Sequence, residues 1–192
     1  KTDEWVLDQF SGSGTTLVEA KLLGRNAIGI DINENSVLLS NSNLNFDCDV
    51  NSKVFVKCGD ARNLSCLKDE SIDLICTHPP YANIIQYSID NLNDISLLDS
   101  DKFIFEMQKV AQESYRVLKK GKVCAIMMGD TRKNGYIVPL GFKTMECFLN
   151  VGFKSKEIII KEQHNCSSSK YWTKKYYSFL LLAHEYIFIF EK

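Results

Sequence analysis

Short apolar runs alternate with longer stretches of helical period along this chain of 192 residues. "EWVLD" (Glu4 to Asp8) reads as a strand, and the next apolar spacing predicts a helix over Thr15–Leu23, ended by Gly24. "NAIGID" predicts a second strand, followed by a helix over Glu34–Asn45. "KVFVKCGD" and "SIDLICT" read as the third and fourth strands. Apolar positions 103, 107, 110, 111, 117 and 118 then predict a helix over Phe103–Leu118, with Gly121 as its stop. "KVCAIMMGD" follows as a fifth strand, and Pro139–Asn150 as a helix with proline in its first turn. Two β-rich segments, "SKEIIIKEQ" and "YYSFLLLAHEYIFIFEK", close the chain without needing a helix between them. This alternation predicts an α/β, doubly wound, mostly parallel sheet with helices on both faces. The closing pair is expected to make an antiparallel edge.

Four polar residues follow the first four strands: Asp8, Asp31, Asp60 and His78. Ligands of open α/β sheets bind outside the carboxyl ends of the strands, so all four are placed around one crevice. Any one aspartate there is equally explained as a helix cap or turn residue. Four in register, one of them ahead of the turn "FSGSGTT", point to a ligand. No lysine follows Gly14, which excludes a P-loop, and Leu17 stands where a dinucleotide fingerprint wants Gly or Ala. A carboxylate at Asp31 suits both hydroxyls of a ribose. Asp60 suits an adenine amino group. S-adenosylmethionine has the ribose, the adenine and a cationic sulfonium without phosphates, which acidic strand ends suit. The candidate cofactor residues are Asp8, Phe10, Ser11, Gly12, Gly14, Thr15, Thr16, Asp31, Ile32, Asp60 and Ala61.

In "THPPYANI" two prolines stiffen the backbone and lack N–H groups, which holds the carbonyls of His78 and Pro79 in fixed directions. Tyr81 offers a flat face for stacking a base, with a rigid strand-exit turn and a packing tyrosine as the alternative. Together "LDQFSGSGTT", "GIDI", "GDAR" and "HPPY", with the later "MGDTRKNGYIVPL", "NVGFKSKEIIIKEQHN" and "HEYIFIFEK", resemble the amino-directed DNA methyltransferases. The resemblance spans nearly the whole chain and implies a seven-stranded, Rossmann-like methyltransferase domain over residues 1–192. It implies methyl transfer from S-adenosylmethionine to adenine N6 or cytosine N4 of DNA, as in restriction–modification enzymes, on a base flipped out of the duplex. The implied catalytic residues are His78, Pro79, Pro80 and Tyr81. His78 stands where the family usually has Asp, Asn or Ser, and the Pro-Pro-Tyr motif follows the glycine motif where many members reverse that order. Only 17 residues separate Asp60 from His78, leaving no room there for a target-recognition domain, which is expected in another domain or subunit. The family also has a helix ahead of the first strand, so the chain reads as the catalytic domain of a longer protein. A base-amino methyltransferase of RNA and a non-catalytic cofactor-binding subunit are the alternatives.

Composition narrows this only locally. The formal net charge of −1 provides no global field for nucleic acid. Lys154, Lys156, Lys161, Lys170, Lys174 and Lys175, against Glu157 and Glu162, make the one basic stretch, with Tyr171, Trp172, Tyr176 and Tyr177 interleaved. Lys170, Lys174 and Lys175 are the candidate nucleic-acid contacts, with a solvated hairpin tip as the alternative. The seven cysteines include no Cys-x-x-Cys pair and none follows a proline. They read as reduced thiols of a cytoplasmic protein, with no cysteine nucleophile, metal site or membrane span expected. His184-Glu185 lacks the second histidine of a zinc-protease helix, since Phe188 stands there, and reads as structural. His164 and Cys166 read as loop residues. Asp90, Asp94, Asp99 and Asp101 read as a solvated loop with Ser100 or Asp101 as a helix cap, or as a lid beside Tyr81.

Overall fold

The computed structural model describes residues 1–82, 91, 93–164 and 180–192. Each apolar run predicted as a strand contains one, the last of them only over His184–Glu191 among its described residues. β1 (Trp5–Asp8), β2 (Asn26–Asp31), β3 (Val54–Cys58), β4 (Ile72–Thr77) and β5 (Leu118–Met128) are parallel neighbours. With β8 (Lys154–Glu162) and β9 (His184–Glu191) they form a seven-stranded sheet in the order β3-β2-β1-β4-β5-β9-β8. β9 alone runs against the others, so the expected antiparallel pairing lies on both sides of the penultimate strand, and the edge strand β8 is again parallel to β5. The chain winds from β1 out to β3, then returns to place β4 on the other side of β1. That reversal opens a crevice at the carboxyl ends of β1 and β4.

The helices divide the apolar residues into two cores, because successive strand side chains point to opposite faces. On one face α1 (Thr15–Leu22) packs Leu17 and Ala20 against Val6 and Ala27, with α2 (Glu34–Asn43) beyond. On the other, α3 (Ser100–Val117) and α4 (Leu140–Asn150) cover Leu7, Ile30, Ile75, Cys124 and Ile126. Phe103, Met107, Val110 and Ala111 are fully buried, as their helical spacing requires. Phe148 of α4 stacks on Phe190 of β9 with ring centroids 5.3 Å apart.

Local readings are corrected in several places. α3 begins at Ser100, and its cap is Asp99, whose Oδ1 accepts from Lys102 N–H at 3.0 Å, instead of Ser100 or Asp101. α3 ends at Val117, ahead of Gly121. Leu118 already pairs with Ile72, and the residues before Val123 bulge out around Gly121 at φ +71°. An unexpected hairpin, β6 (Thr131–Lys133) and β7 (Tyr136–Val138), turns at Asn134 and Gly135, both at positive φ. Asn-Gly is the dipeptide such a turn favours. No helix joins β3 to β4. Arg116 of α3 holds that connection, donating to Asp69 Oδ1 at 2.6 Å and to the carbonyls of Leu64 and Leu67. The six described cysteines are free thiols, and no described helix is long and apolar enough to cross a membrane.

Candidate active site

The turn after β1 borders the crevice and is tied to β2 by its own backbone groups. Gly12 and Gly14 have φ of +51° and +85°, a region that L side chains rarely adopt. Ser11 N–H donates to the Ile30 carbonyl and Gly14 N–H to the Ser11 carbonyl, at 3.0 and 2.7 Å. A Cβ on Gly14 would overlap Ser40 of α2, so this glycine also sets how closely the two helices approach. Leu17, the residue that breaks the dinucleotide fingerprint, is fully buried against Gly29 of β2. The small residue needed for close helix–strand packing sits on the strand instead of the helix.

Four carboxylates line the cleft around this turn. Asp8 is buried, and its Oδ1 accepts from Thr77 Oγ1 at 2.7 Å and from Phe10 N–H at 3.1 Å. Burial pushes its pKa up, against the hydrogen bonds from Thr16 and Thr77. It ties the ends of β1 and β4 together from beneath the cleft. Asp31 accepts from Gly12 N–H at 2.8 Å and Asn33 N–H at 2.9 Å, and burial raises its pKa too. Asp60 is gripped by Arg62, with Nε 2.9 Å from Oδ1 and Nη2 2.6 Å from Oδ2. Burial alone would raise the Asp60 pKa, but Arg62 brings it below the usual carboxylate value. Arg62 also reaches Glu106 of α3 and the Asn93 carbonyl. Asp94, read as part of a solvated loop or of a lid beside Tyr81, is buried in the cleft wall, where its Oδ1 accepts from Ser96 N–H at 2.8 Å.

His78 and Tyr81 meet across the Pro79-Pro80 turn, with Nε2 and Oη 3.0 Å apart. Tyr81 Oη donates to Glu185 Oε1 of β9 at 2.5 Å, and Lys161 Nζ of β8 lies 2.7 Å from Glu185 Oε2. Desolvation by the surrounding walls pushes the His78 pKa down; Glu185 opposes this and Lys161 adds to it. Glu185, expected to be merely structural, therefore enters the constellation around the Pro-Pro-Tyr motif.

The glycine turn, the four carboxylates and the Pro-Pro-Tyr motif line one cleft of about 430 Å³, with Glu185 and Lys161 behind it. It brings together Asp8, Phe10, Ser11, Gly12, Thr15, Thr16, Asp31, Ile32, Asp60 and Ala61 with His78, Pro79, Pro80 and Tyr81. Gly14 does not line it, because its role is at the foot of α1. Arg62 and Asn93, which were not among the candidates, line it too, together with Asp94 of the acidic stretch. Arg62 stands inside the "GDAR" stretch, two residues after Asp60, and its pairing with that carboxylate has no periodic signal in the sequence. Lys170, Lys174, Lys175 and Cys166 lie outside the described residues, as does Asp90, while Asp94, Asp99 and Asp101 of the acidic stretch are described. Of the basic stretch, Lys156 and Lys161 are paired with Glu191 and Glu185, leaving less free charge than the sequence count suggests.

Strand order and cleft together define a methyltransferase-type α/β domain. The same fold is found in a solved S-adenosylmethionine-dependent methyltransferase of Methanosarcina mazei, with a TM-score of 0.69 at 17% identity over 100% of this chain and 93% of that one. The family model described as DNA methylase, covering the N6/N4 enzymes, matches residues 1–42 and 72–192, and the chain belongs to that family. It is 30% identical over 124 residues to an orphan methyltransferase of Bacillus amyloliquefaciens, covering 65% of this chain and 40% of that protein. It is 28% identical over 180 residues to a type II methyltransferase of Methanocaldococcus jannaschii, covering 78% and 58%. A tRNA (guanine(10)-N2)-dimethyltransferase of Pyrococcus abyssi is 29% identical over 144 residues, covering 74% and 39%. The chain thus spans about half the length of these relatives.

Proposed function

We propose that this domain binds S-adenosylmethionine and methylates the exocyclic amino group of adenine (N6) or cytosine (N4) in DNA. The observation that carries the reading is the convergence of the glycine turn, Asp31 and the His78–Tyr81 motif on one cleft. The cofactor fits what lines it. Asp31 keeps lone pairs for ribose hydroxyls beyond those used by Gly12 and Asn33. Asp31 and Asp94 give the cleft acidic groups beyond Asp60, whose charge Arg62 offsets, and this suits a sulfonium. When bound, S-adenosylmethionine supplies the electrophilic methyl group.

The chain's own part is orientation. An aromatic amino group is a poor nucleophile because its lone pair is delocalised into the ring. Acceptors aimed at its N–H bonds favour the geometry that turns the lone pair toward the methyl donor. The carbonyls of His78 and Pro79, and the neutral His78 ring, are the acceptors this motif offers. The lowered His78 pKa keeps that ring neutral at physiological pH. Tyr81 supplies a stacking face for a flipped base.

The test offers labelled S-adenosylmethionine with duplex DNA and with transfer RNA, followed by nucleoside analysis of the product. N6-methyladenine or N4-methylcytosine in DNA supports the reading and decides the base. The tRNA-methylating relative supports a second reading, an RNA base-amino methyltransferase, to which labelled RNA alone would point. Cofactor binding without incorporation anywhere would leave a non-catalytic cofactor-binding subunit. DNA sequence recognition is assigned to parts outside this domain, in another segment or a separate subunit.

A further inference from the structure

The Tyr81 hydroxyl has one proton and two acceptor positions. Its neighbour Glu185 is 5% exposed and is also served by Lys161 and the Gln163 side chain. Lys161 donates only, so it holds Glu185 as an acceptor, and the carboxylate takes the single Tyr81 proton at 2.5 Å. Tyr81 Oη is then an acceptor toward His78. The 3.0 Å contact between Oη and His78 Nε2 is a hydrogen bond only if Nε2 carries the proton. Packing keeps the arrangement tight, since a Cβ on Gly129 would come within 3.3 Å of Tyr81 Oη and 3.4 Å of Glu185 Cγ.

We propose that Glu185 is a positioning residue that sets the tautomer of His78 through Tyr81. By drawing the phenol proton it keeps the His78 proton on Nε2 and leaves Nδ1 as the ring's single lone pair for the target amino group. This rests on the reading of His78 as an acceptor in amino-group methylation. It explains how a histidine serves where the family usually has Asp, Asn or Ser. Those side chains always present an oxygen acceptor, whereas a neutral imidazole presents one acceptor nitrogen, and which one must be fixed. The groups that bear on the ring's charge are Glu185, which favours the imidazolium, and Lys161, which with burial disfavours it.

The substitution that tests this best is Glu185→Gln, which keeps the shape. Lys161 demands the amide oxygen, so the amide NH2 is turned toward Tyr81. The phenol then accepts from the amide and donates to His78 Nε2, which moves the imidazole proton to Nδ1. Nitrogen NMR of the 15N-histidine-labelled protein reads this directly at a pH where the ring is neutral. There are three histidines, and His78→Asn assigns the resonances. The parent should show the Nε2–H form, Glu185→Gln the Nδ1–H form, and Tyr81→Phe no strong preference. A parent proton on Nδ1, or one tautomer shared by all three proteins, overturns the proposal. Single-turnover methyl transfer should fall at least tenfold in Glu185→Gln, with cofactor affinity unchanged and the pH profile altered. An unaltered rate despite a switched tautomer would overturn the positioning role. Absence of transfer by the parent to any nucleic acid would instead sink the proposed function while the tautomer measurement stood.

Discussion

At the scale of single residues, the cleft is a set of polar groups whose neighbours decide their state. Asp31 joins the glycine turn to the end of β2 through two backbone N–H groups. Asp31→Ala should weaken S-adenosylmethionine binding tenfold to a hundredfold, the equivalent of about 1.5–3 kcal/mol for hydrogen bonds to a charged acceptor. Calorimetry on the folded variant checks this. Burial raises the Asp31 pKa, so the acceptor is lost at a higher pH than for an ordinary aspartate. Affinity in the parent should therefore begin to fall, on acidification, above the usual carboxylate range. His78 shifts the other way. Its pKa is lowered, first by burial, so the neutral ring persists below the ordinary value of about 6.5. If the ring accepts from the target, single-turnover transfer stays on its plateau through that pH and declines only lower. His78→Asn keeps an acceptor and should retain activity, whereas His78→Ala should lose turnover and keep cofactor binding. Equal rates and pH profiles for the Ala variant and the parent would leave only the backbone carbonyls as acceptors.

At the scale of elements, the glycine turn works because α1 can lie close to β2. Gly29 permits this: a Cβ there would come 2.5 Å from Leu17 Cδ1 and 3.0 Å from Ser11 Cβ. Leu17 has no exposed surface into which to retreat. Gly29→Ala should cost about 1–3 kcal/mol of stability through overpacking, and because Ser11 is displaced it should weaken cofactor binding as well. Urea unfolding and calorimetry measure the two, and a neutral result for both would mean α1 moves freely. The elements themselves were largely legible beforehand. Strand and helix periods report which face is buried, and that information is local. The limits of α3 were not, since strand pairing of Leu118 with Ile72 overrode the helical spacing at that residue. The β3–β4 connection, held by Arg62 and Arg116 in place of a helix, has no periodic signal at all.

At the scale of the molecule, the end of the sheet opposite the cleft is held by charge. Asp73 of β4 accepts from Trp5 N–H of β1 and from Lys119 at 2.8 Å, with Lys122 3.3 Å away and bonded in turn to Glu4. Burial would raise the Asp73 pKa, but Lys119 and the Trp5 N–H lower it. The Lys122 hydrogen bond is the main cause that holds Glu4 at about 2. A depressed carboxylate contributes stability that is present above its unfolded pKa and is lost as pH falls through the folded one. Asp8 and Asp31, with raised values, contribute in the opposite sense and gain on protonation. Asp73→Asn should therefore lower the urea midpoint at pH 7 and narrow its difference from the midpoint at about pH 3. An undiminished difference would show that acid sensitivity arises elsewhere.

The sequence by itself determined what depends on neighbours along the chain. The succession of strands and helices follows from hydrophobic period, the turn from glycines that tolerate positive φ, and the rigid Pro-Pro step from missing N–H groups. Because ligands of open α/β sheets gather at the strand ends, these local features also placed Asp31, Asp60 and His78 near one another. The tertiary structure decided which of these groups are free and which are held. Glu185 meets Tyr81 across 104 residues of chain, and only the insertion of β9 between β5 and β8 brings it there. Likewise Asp94 is buried in the cleft wall next to the Asn93 carbonyl, which Arg62 holds. Such pairings leave no periodicity to read, since a hydrogen bond depends on where two side chains finish in space and not on their separation in sequence.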